Sequence, residues 1–511
     1  MDDTVDGQDG ESTDLTNKLG FPIVDIVPDG DIVLDVTLDT SKETLKAARK
    51  AAKPRPGQNV TPPVFKARSR VGYRVQLAVL KQNSKYFDNL LSDTRFTEAR
   101  SIEETFQKLS LKNVKPSEAD AADLPMVKIH EDDEATRSAG HGSVFEYLLR
   151  ILHRKQSIAK AVSMQHLAVL ALLADRFDCI AIVSRYLNAL KYKWPATQTR
   201  VSRDDGPTLS RAAEENLRQK ILVAWLLDQP PKLQIATREL IMYGSRRWSD
   251  YFDEDQDESY AAAWWDLPDD LEQELHHRRE CVLTTIASIQ THFLGLYTSR
   301  TRQCKLGYDS SASCDSYQLG EMVKFLCSRN LLFLTSFAPS PFPPPPSTSS
   351  PTPGTTPSTT NTTSEIPDIS TIDIGSILAT LKQCPAYQID KNHTHCGLRA
   401  RALPAVEYVQ AMLASGAVSI ARQAWMRDRD GAAWLRSGGL DGGGVGHKGE
   451  GERKVFRFTR GLATDQRLRM EGAMAVDRSA RALFTADEWD WSTEDRDESR
   501  GVEFGRWPAA R

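Results

Sequence analysis

Residues 73–93, YRVQLAVLKQNSKYFDNLLSD, change hydrophobic period partway along. Val75, Leu77 and Val79 recur at every second position, the spacing of a half-buried strand, and Tyr86, Phe87, Leu90 and Leu91 recur at helical spacing. A strand that runs straight into a short amphipathic helix points to a mixed α+β domain. Nothing in the stretch carries catalytic chemistry, so its two adjacent aromatics need another explanation. Burying a phenylalanine contributes about 1.5–3 kcal/mol, which makes core the first reading for Phe87. The Tyr86 hydroxyl tolerates a wet rim, so Tyr86 is the better candidate for a contact between proteins.

The neighbouring segments give the domain its outline. DIVLDVTLD (31–39) alternates, with Val33, Asp35 and Thr37 on one face and Ile32, Leu34, Val36 and Leu38 on the other. LPMVKI (124–129) reads as a short strand, and SVFEYLLRILH (143–153) as a helix with Val144, Tyr147, Leu148 and Ile151 on one side. The run 163–190 begins at a plausible N-cap, Ser163, and holds two helices. Beyond it the chain turns helical. Leu217, Ile221, Leu222 and Trp225 share a face; a long stripe runs Leu271, Leu275, Val282, Ile286, Ile289 and Phe293, with Pro268 at a first-turn place.

Between 338 and 364, 23 of 27 residues are Pro, Ser or Thr, a composition that cannot bury a core. Six domain segments are therefore expected. They are an acidic, disordered N-terminus (1–28), a sheet-and-helix domain (29–200) with insertions at 40–72 and 99–123, and a helical domain (205–336). A Pro/Ser/Thr-rich linker (337–371), a helical segment packed on the helical domain (372–430) and a mostly disordered Gly-rich, charged tail (431–511) complete them.

The order strand, strand-helix, strand, helix, helical hairpin resembles a BTB/POZ domain. YRVQLAVLKQNSKYFDNLL is similar to the family's run of strand, leucine, S-x-Y-F and paired leucines, with Leu80, Ser84, Tyr86, Phe87 and Leu91 on the defining positions. RFTEA, with Glu98, resembles the f-x-E that follows, and LAVLALLADRFDCIAIVSRYL the helical hairpin. LNALKYKW and the CGLR near 396 resemble fungal BTB-domain proteins in particular. Gln76 stands where a histidine is common. The resemblance implies a small mixed sheet flanked by helices, followed by a BACK-like all-α region. It implies a non-enzymatic interaction protein with protein partners, a homodimer through the BTB-like domain, and a cullin scaffold as a further partner, since some family members are substrate adaptors of cullin-type ubiquitin ligases. Leu80, Ser84, Tyr86, Phe87 and Leu91 are then the candidate interaction residues.

Charge narrows the partners. With 65 basic and 69 acidic residues the chain has a formal net charge of −4, which favours neither nucleic acid nor an anionic membrane. Residues 42–74 are the exception, with ten Lys or Arg and one acid. They support the alternative of a nuclear, transcription-associated protein that binds DNA there, through Arg49, Lys50, Lys53 and Arg55 among others. Aromatic interleaving is limited to Phe65 and Tyr73, so a solvated surface is the favoured reading. The most apolar run, HLAVLALLADRFDCIAIV, is broken by Asp175, Arg176 and Asp178 and reads as a buried helix rather than a membrane span. The first fourteen residues hold six acids and no base, unlike a secretory leader, and the seven cysteines are odd in number. An intracellular protein with free thiols, in cytoplasm or nucleus, is expected.

No G-x-S-x-G, H-E-x-x-H or P-loop pattern occurs, and GVGHKG (444–449) matches G-x-G-x-x-G without the flanking strand and helix that a dinucleotide site needs. No enzyme, no catalytic residue and no cofactor are expected. CPAYQIDKNHTHCG carries Cys384, His393, His395 and Cys396, all zinc-ligand types, which Cys304 and Cys314 could join in space. No C-x-x-C is present, so reduced thiols and a surface histidine pair are favoured and no metal is expected. Were there such a site, it would tie the segment after the linker to the helical domain and be structural. In the pair Trp264 and Trp265, core is favoured over a partner hot spot.

Overall fold

The computed structural model describes residues 20–52, 65–155, 162–192, 194, 209–249, 261–331, 369–393, 396–432, 453–463 and 466–493. The chain divides into two compact units. The first comprises 1–199, 211–236 and 251–269, the second 200–210, 237–250 and 270–511. The boundary expected near 205 is thus not where the chain separates, because the helix after it packs in the first unit.

In the first unit, β1 (Ile23–Asp25) lies parallel to β3 (Arg68–Val75), β3 runs antiparallel to β2 (Ile32–Asp39), and β2 runs parallel to β4 (Met126–Glu131). The sheet order is β1-β3-β2-β4. β2 is central and buried on both faces. Ile32, Val33, Leu34 and Val36 have no exposure, and Asp35 is covered as well. Asp35 is satisfied by a bidentate pair with Arg70, whose Nε and Nη2 both donate at 2.7 Å.

Three expectations for this unit change. Residues 20–28 are ordered, with Phe21, Ile26 and Val27 buried and β1 paired to β3. The stretch 40–72 is not simply an insertion. It holds α1 (Lys42–Ala51), N-capped by Ser41, and the first half of β3. The stretch 99–123 holds most of α4 (Thr97–Leu111), whose Leu109 packs with Ala119, Ala121 and Leu124 onto Val33. A segment that reads as polar thus covers one face of the sheet, because Ala99, Ile102 and Leu109 are its buried positions.

β3 ends at Val75, one residue before α2 (Leu77–Asn83), and α3 (Lys85–Ser92) follows at once. Leu77 and Val79 therefore belong to a helix, not to a strand. Asp31 ends the strand alternation here by accepting from the Leu77 N–H at 2.7 Å. α5 (His141–Leu152) buries Val144, Tyr147, Leu148 and Ile151, and Ser163 caps α6 (Met164–Arg176) by accepting from the His166 N–H. Asp178, in the left-handed region at φ 46°, turns the chain into α7 (Ile180–Ala189). α8 (Arg211–Leu226) packs on α6 and on the turn that carries Trp264 and Trp265, both buried. The Arg218 guanidinium lies over the Trp265 ring at 5.1 Å and pairs with buried Glu214 at 3.0 Å.

α9 (Pro230–Tyr243) leads into the second unit. Gly244 follows it at φ +82°, and a side chain there would run into the Ser370 carbonyl, 1.9 Å from an ideal Cβ. Buried Arg279 donates to the Ile241, Met242, Ile369 and Ile372 carbonyls, closing the end of α9 onto the 3-10 turn Ile369–Thr371. Arg279 projects from α10 (Leu271–Thr298), which starts three residues beyond Pro268, after two left-handed aspartates, Asp269 and Asp270. Its stripe Leu271, Leu275, Val282, Ile286, Ile289 and Phe293 is buried as the spacing predicts.

α11 (Ser311–Ser328) and α13 (Leu398–Met412) pack on α10, α12 (Ile374–Lys382) packs on α13, and α14 (Arg422–Asp428) follows. The tail is not all irregular. β5 (Val455–Thr459) and β6 (Glu488–Thr493) form a parallel pair joined through helix Gln466–Phe484. Phe456 and Phe458 pack at a tilt against buried Trp491, whose indole N–H donates to Ser288 Oγ of α10. Alternation in VFRFT and EWDWST is the sequence signal for this pair; each run is short enough to pass unnoticed. Among the described residues no helix is long and apolar enough to cross a membrane. The linker 338–364, the Gly-rich GVGHKG and the acidic DEDQDE (253–258) lie outside the described residues.

Candidate metal centre and candidate interaction residues

Four side chains, three from two connections and one from a helix, converge in the second unit. Cys304 lies in the connection from α10 to α11, and Cys314 in the first turn of α11. His393 and Cys396 lie in the connection from α12 to α13. One ligand atom from each falls within 4.8 Å of the others. Cys304 Sγ is 3.7 Å from Cys396 Sγ and 3.5 Å from His393 Nδ1. Cys304, Cys314 and His393 are buried and Cys396 is half-buried.

Local structure fixes each ligand. The Asp315 carboxylate, one residue after Cys314, accepts from the Gln303 N–H at 2.7 Å and the Cys304 N–H at 3.0 Å, so α11 holds the preceding loop by its backbone. Arg401 of α13 donates to the Gln303 side chain and carbonyl. Tyr297 donates its hydroxyl to the Cys396 carbonyl at 2.7 Å. Gln318 donates to the Tyr387 carbonyl, anchoring the middle of the second connection.

His393 is oriented from behind. Asp390 makes a tight turn by accepting from the Asn392 N–H, and the His393 N–H donates to the Asp390 carbonyl. Ser310 Oγ donates to Asp390 Oδ2 at 2.6 Å and lies 3.0 Å from His393 Nε2. The Ser310 hydroxyl has one proton and spends it on the carboxylate. Nε2 therefore carries the hydrogen that Oγ accepts, and the Nδ1 lone pair faces the sulfurs. A carboxylate-to-histidine chain of this kind accompanies histidines that ligate metals.

The thiols do not titrate alike. Burial would push Cys304 up, but hydrogen bonds from Ser311, from the Leu306 backbone and from the other two thiols bring it below its ordinary value. Burial, joined by the charges of Cys304 and Cys396, pushes Cys314 up to about 12. The seven cysteines are all free thiols.

The structure thus brings together four of the six residues that the sequence groups as zinc-ligand types. Cys384 is turned away, its Sγ 3.6 Å from Met322 Sδ, and His395 lies outside the described residues. The absence of C-x-x-C argues for loose thiols and no metal; the geometry weighs against that reading of Cys304, Cys314, His393 and Cys396. The sequence signal was the H-x-x-C at 393–396, which supplies half of a ligand set at a spacing compatible with one turn of chain.

The candidate interaction residues separate differently. Leu80, Ser84, Phe87 and Leu91 are buried, and only Tyr86, 38% exposed, is available to a partner. As a contact surface the five therefore reduce to one. Ser84 caps α3 by accepting from the Phe87 N–H, and its hydroxyl donates to the Phe177 carbonyl at 2.6 Å. Tyr86 sits edge-on to both Phe87 and Phe177. A second exposed aromatic, Phe96, stands immediately before α4, which packs on α3.

The basic stretch is partly committed to the fold. Arg68 pairs with Asp39 and Arg70 with Asp35, and Arg74 donates to the Gly30, Ser117 and Ala119 carbonyls. Lys53 and Arg55 lie outside the described residues. Compared with models of protein families, with curated proteins and with solved structures, the chain shows no match.

Proposed function

We propose that this chain is a non-enzymatic protein-interaction protein whose first unit works as a BTB/POZ-like platform. The unit would pair with its own copy or bind protein partners, with a cullin scaffold as one candidate partner. The observation that carries it is the exit from the sheet. β3 ends at Val75, α2 and α3 follow without a loop, and α3 leaves Tyr86 exposed above the buried Phe87. Further support is the pairing of β2 with β3 antiparallel and β4 parallel, followed by α5 and the hairpin α6–α7, which is the order that the sequence resemblance implies. Phe96 and Glu98 stand where the family's f-x-E motif would follow, with Phe96 exposed at 44%. The α-helices of the second unit take the place of a BACK-like region.

The test uses the full chain as bait in a cell extract and in sedimentation at tens of micromolar. Recovery of a cullin, lost in the double variant Y86A/F96A while thermal stability is kept, supports the reading. A chain that stays monomeric and recovers no cullin contradicts it.

A further inference from the structure

We propose that Cys304, Cys314, His393 and Cys396 bind one zinc ion as a closed Cys3His set, and that the ion cross-links the α10–α11 connection to the α12–α13 connection. This inference concerns the second unit and does not depend on the interaction reading.

Three thiolates and an imidazole are a donor set that suits zinc. Zinc binds thiolate at about 2.3 Å and imidazole at about 2.0–2.1 Å, so tetrahedral angles set sulfur pairs about 3.8 Å apart and sulfur–nitrogen pairs about 3.6 Å apart. The Cys304–Cys396 separation is 3.7 Å and the Cys304–His393 separation 3.5 Å. A disulfide would need the sulfurs at about 2.05 Å. The His393 tautomer set by Ser310 and Asp390 presents Nδ1 as the free donor, which is the ligand form.

Four protein ligands leave no coordination position for substrate, and three of the four are buried, so the site is structural rather than catalytic. It also has something to hold. Neither connection, 299–310 nor 383–397, contains a helix or strand among its described residues. Long irregular connections need a tie, and a metal that binds only the folded form supplies one.

The experiment uses the full chain, purified with reductant, stripped of metal and titrated anaerobically with Co(II) and then Zn(II). One equivalent of Co(II) should give the intense visible bands of tetrahedral coordination and a thiolate charge-transfer band, and one equivalent of Zn(II) should abolish both. H393C should keep the tetrahedral spectrum with stronger thiolate charge transfer, which a merely structural histidine would not produce. S310A should keep the spectrum and weaken zinc binding roughly 10–100-fold, as loss of a group that orients a ligand does. C314S, one thiolate short, should weaken the thiolate charge-transfer band and the affinity for zinc, and C327A, at an exposed cysteine outside the set, should change nothing. A weak octahedral spectrum in the wild type, thiolate charge transfer and zinc affinity unchanged in C314S, or a Cys304–Cys396 disulfide in the reduced preparation would overturn the proposal. If C314S fails to fold, H393C and S310A still decide it.

Discussion

Phe87 and Phe177 stack with ring centroids 5.3 Å apart and planes 6° from parallel. Phe145 meets Phe177 edge-on, and Tyr73 of β3 leans on Phe145. One aromatic column thus joins the sheet, α3, α5 and the α6–α7 turn. Ser84 reinforces it by bonding both ends of the stack, Phe87 through its N–H and Phe177 through its carbonyl.

From this column follows the first prediction. F87A removes a fully buried ring and should lower the unfolding free energy by roughly 3–5 kcal/mol. Y86A, at a rim position, should change it by less than about 1 kcal/mol. Denaturant unfolding of the two variants checks the contrast. Equal effects would mean that Phe87 is not in the core.

Glu131, at the end of β4, gives a dependence on pH. Burial raises its carboxyl from 4.5 to about 7, with Arg176 at 3.2 Å working the other way and Asp132 adding to the rise. The fold therefore disfavours the charged form. The stability that the protonated acid contributes is complete below pH 4.5 and is lost as pH rises through about 7. E131Q should match wild type near pH 4.5 and exceed it at pH 8, by an amount on the order of 3 kcal/mol at most. Arg176 keeps its bond to the His130 carbonyl in the variant. Thermal melts at the two pH values decide it, and a gain confined to low pH would reverse the sign and refute the argument.

The tail supplies a third. Trp491 is fully buried against Phe456 and Phe458 and donates to Ser288. W491A should destabilise the second unit by roughly 3–5 kcal/mol and flatten the near-UV circular dichroism. A tail that merely hangs from the helices would give neither change.

Parts of both units were legible because their periods are unambiguous. Ile32 to Leu38 alternate, the helix stripe of α10 runs from Leu271 to Phe293, and both sit buried as spacing predicts. What escaped has physical reasons. Val33 is covered by Leu109 of α4 together with Ala119 and Ala121 from the chain after it, and alanines carry little weight in a hydrophobic pattern. β5 and β6 are separated by a helix, so neither strand announces its partner. Pro268 marks a helix start that two left-handed aspartates postpone. The ligand set hid for a different cause: its halves are 79 positions apart between Cys314 and His393, and a metal site assembled by tertiary structure leaves no local spacing to read beyond H-x-x-C.

The centre at Cys304, Cys314, His393 and Cys396 is the part of the account that the geometry presses hardest, and elemental analysis reaches it directly. Full-length chain purified under reductant without added metal should carry one zinc per molecule. The double variant C304S/C396S should carry none, and a chelator strong enough to strip the wild type should lower its melting temperature. Wild-type chain without zinc that refuses to take it up, and whose melting temperature ignores the chelator, would contradict the account.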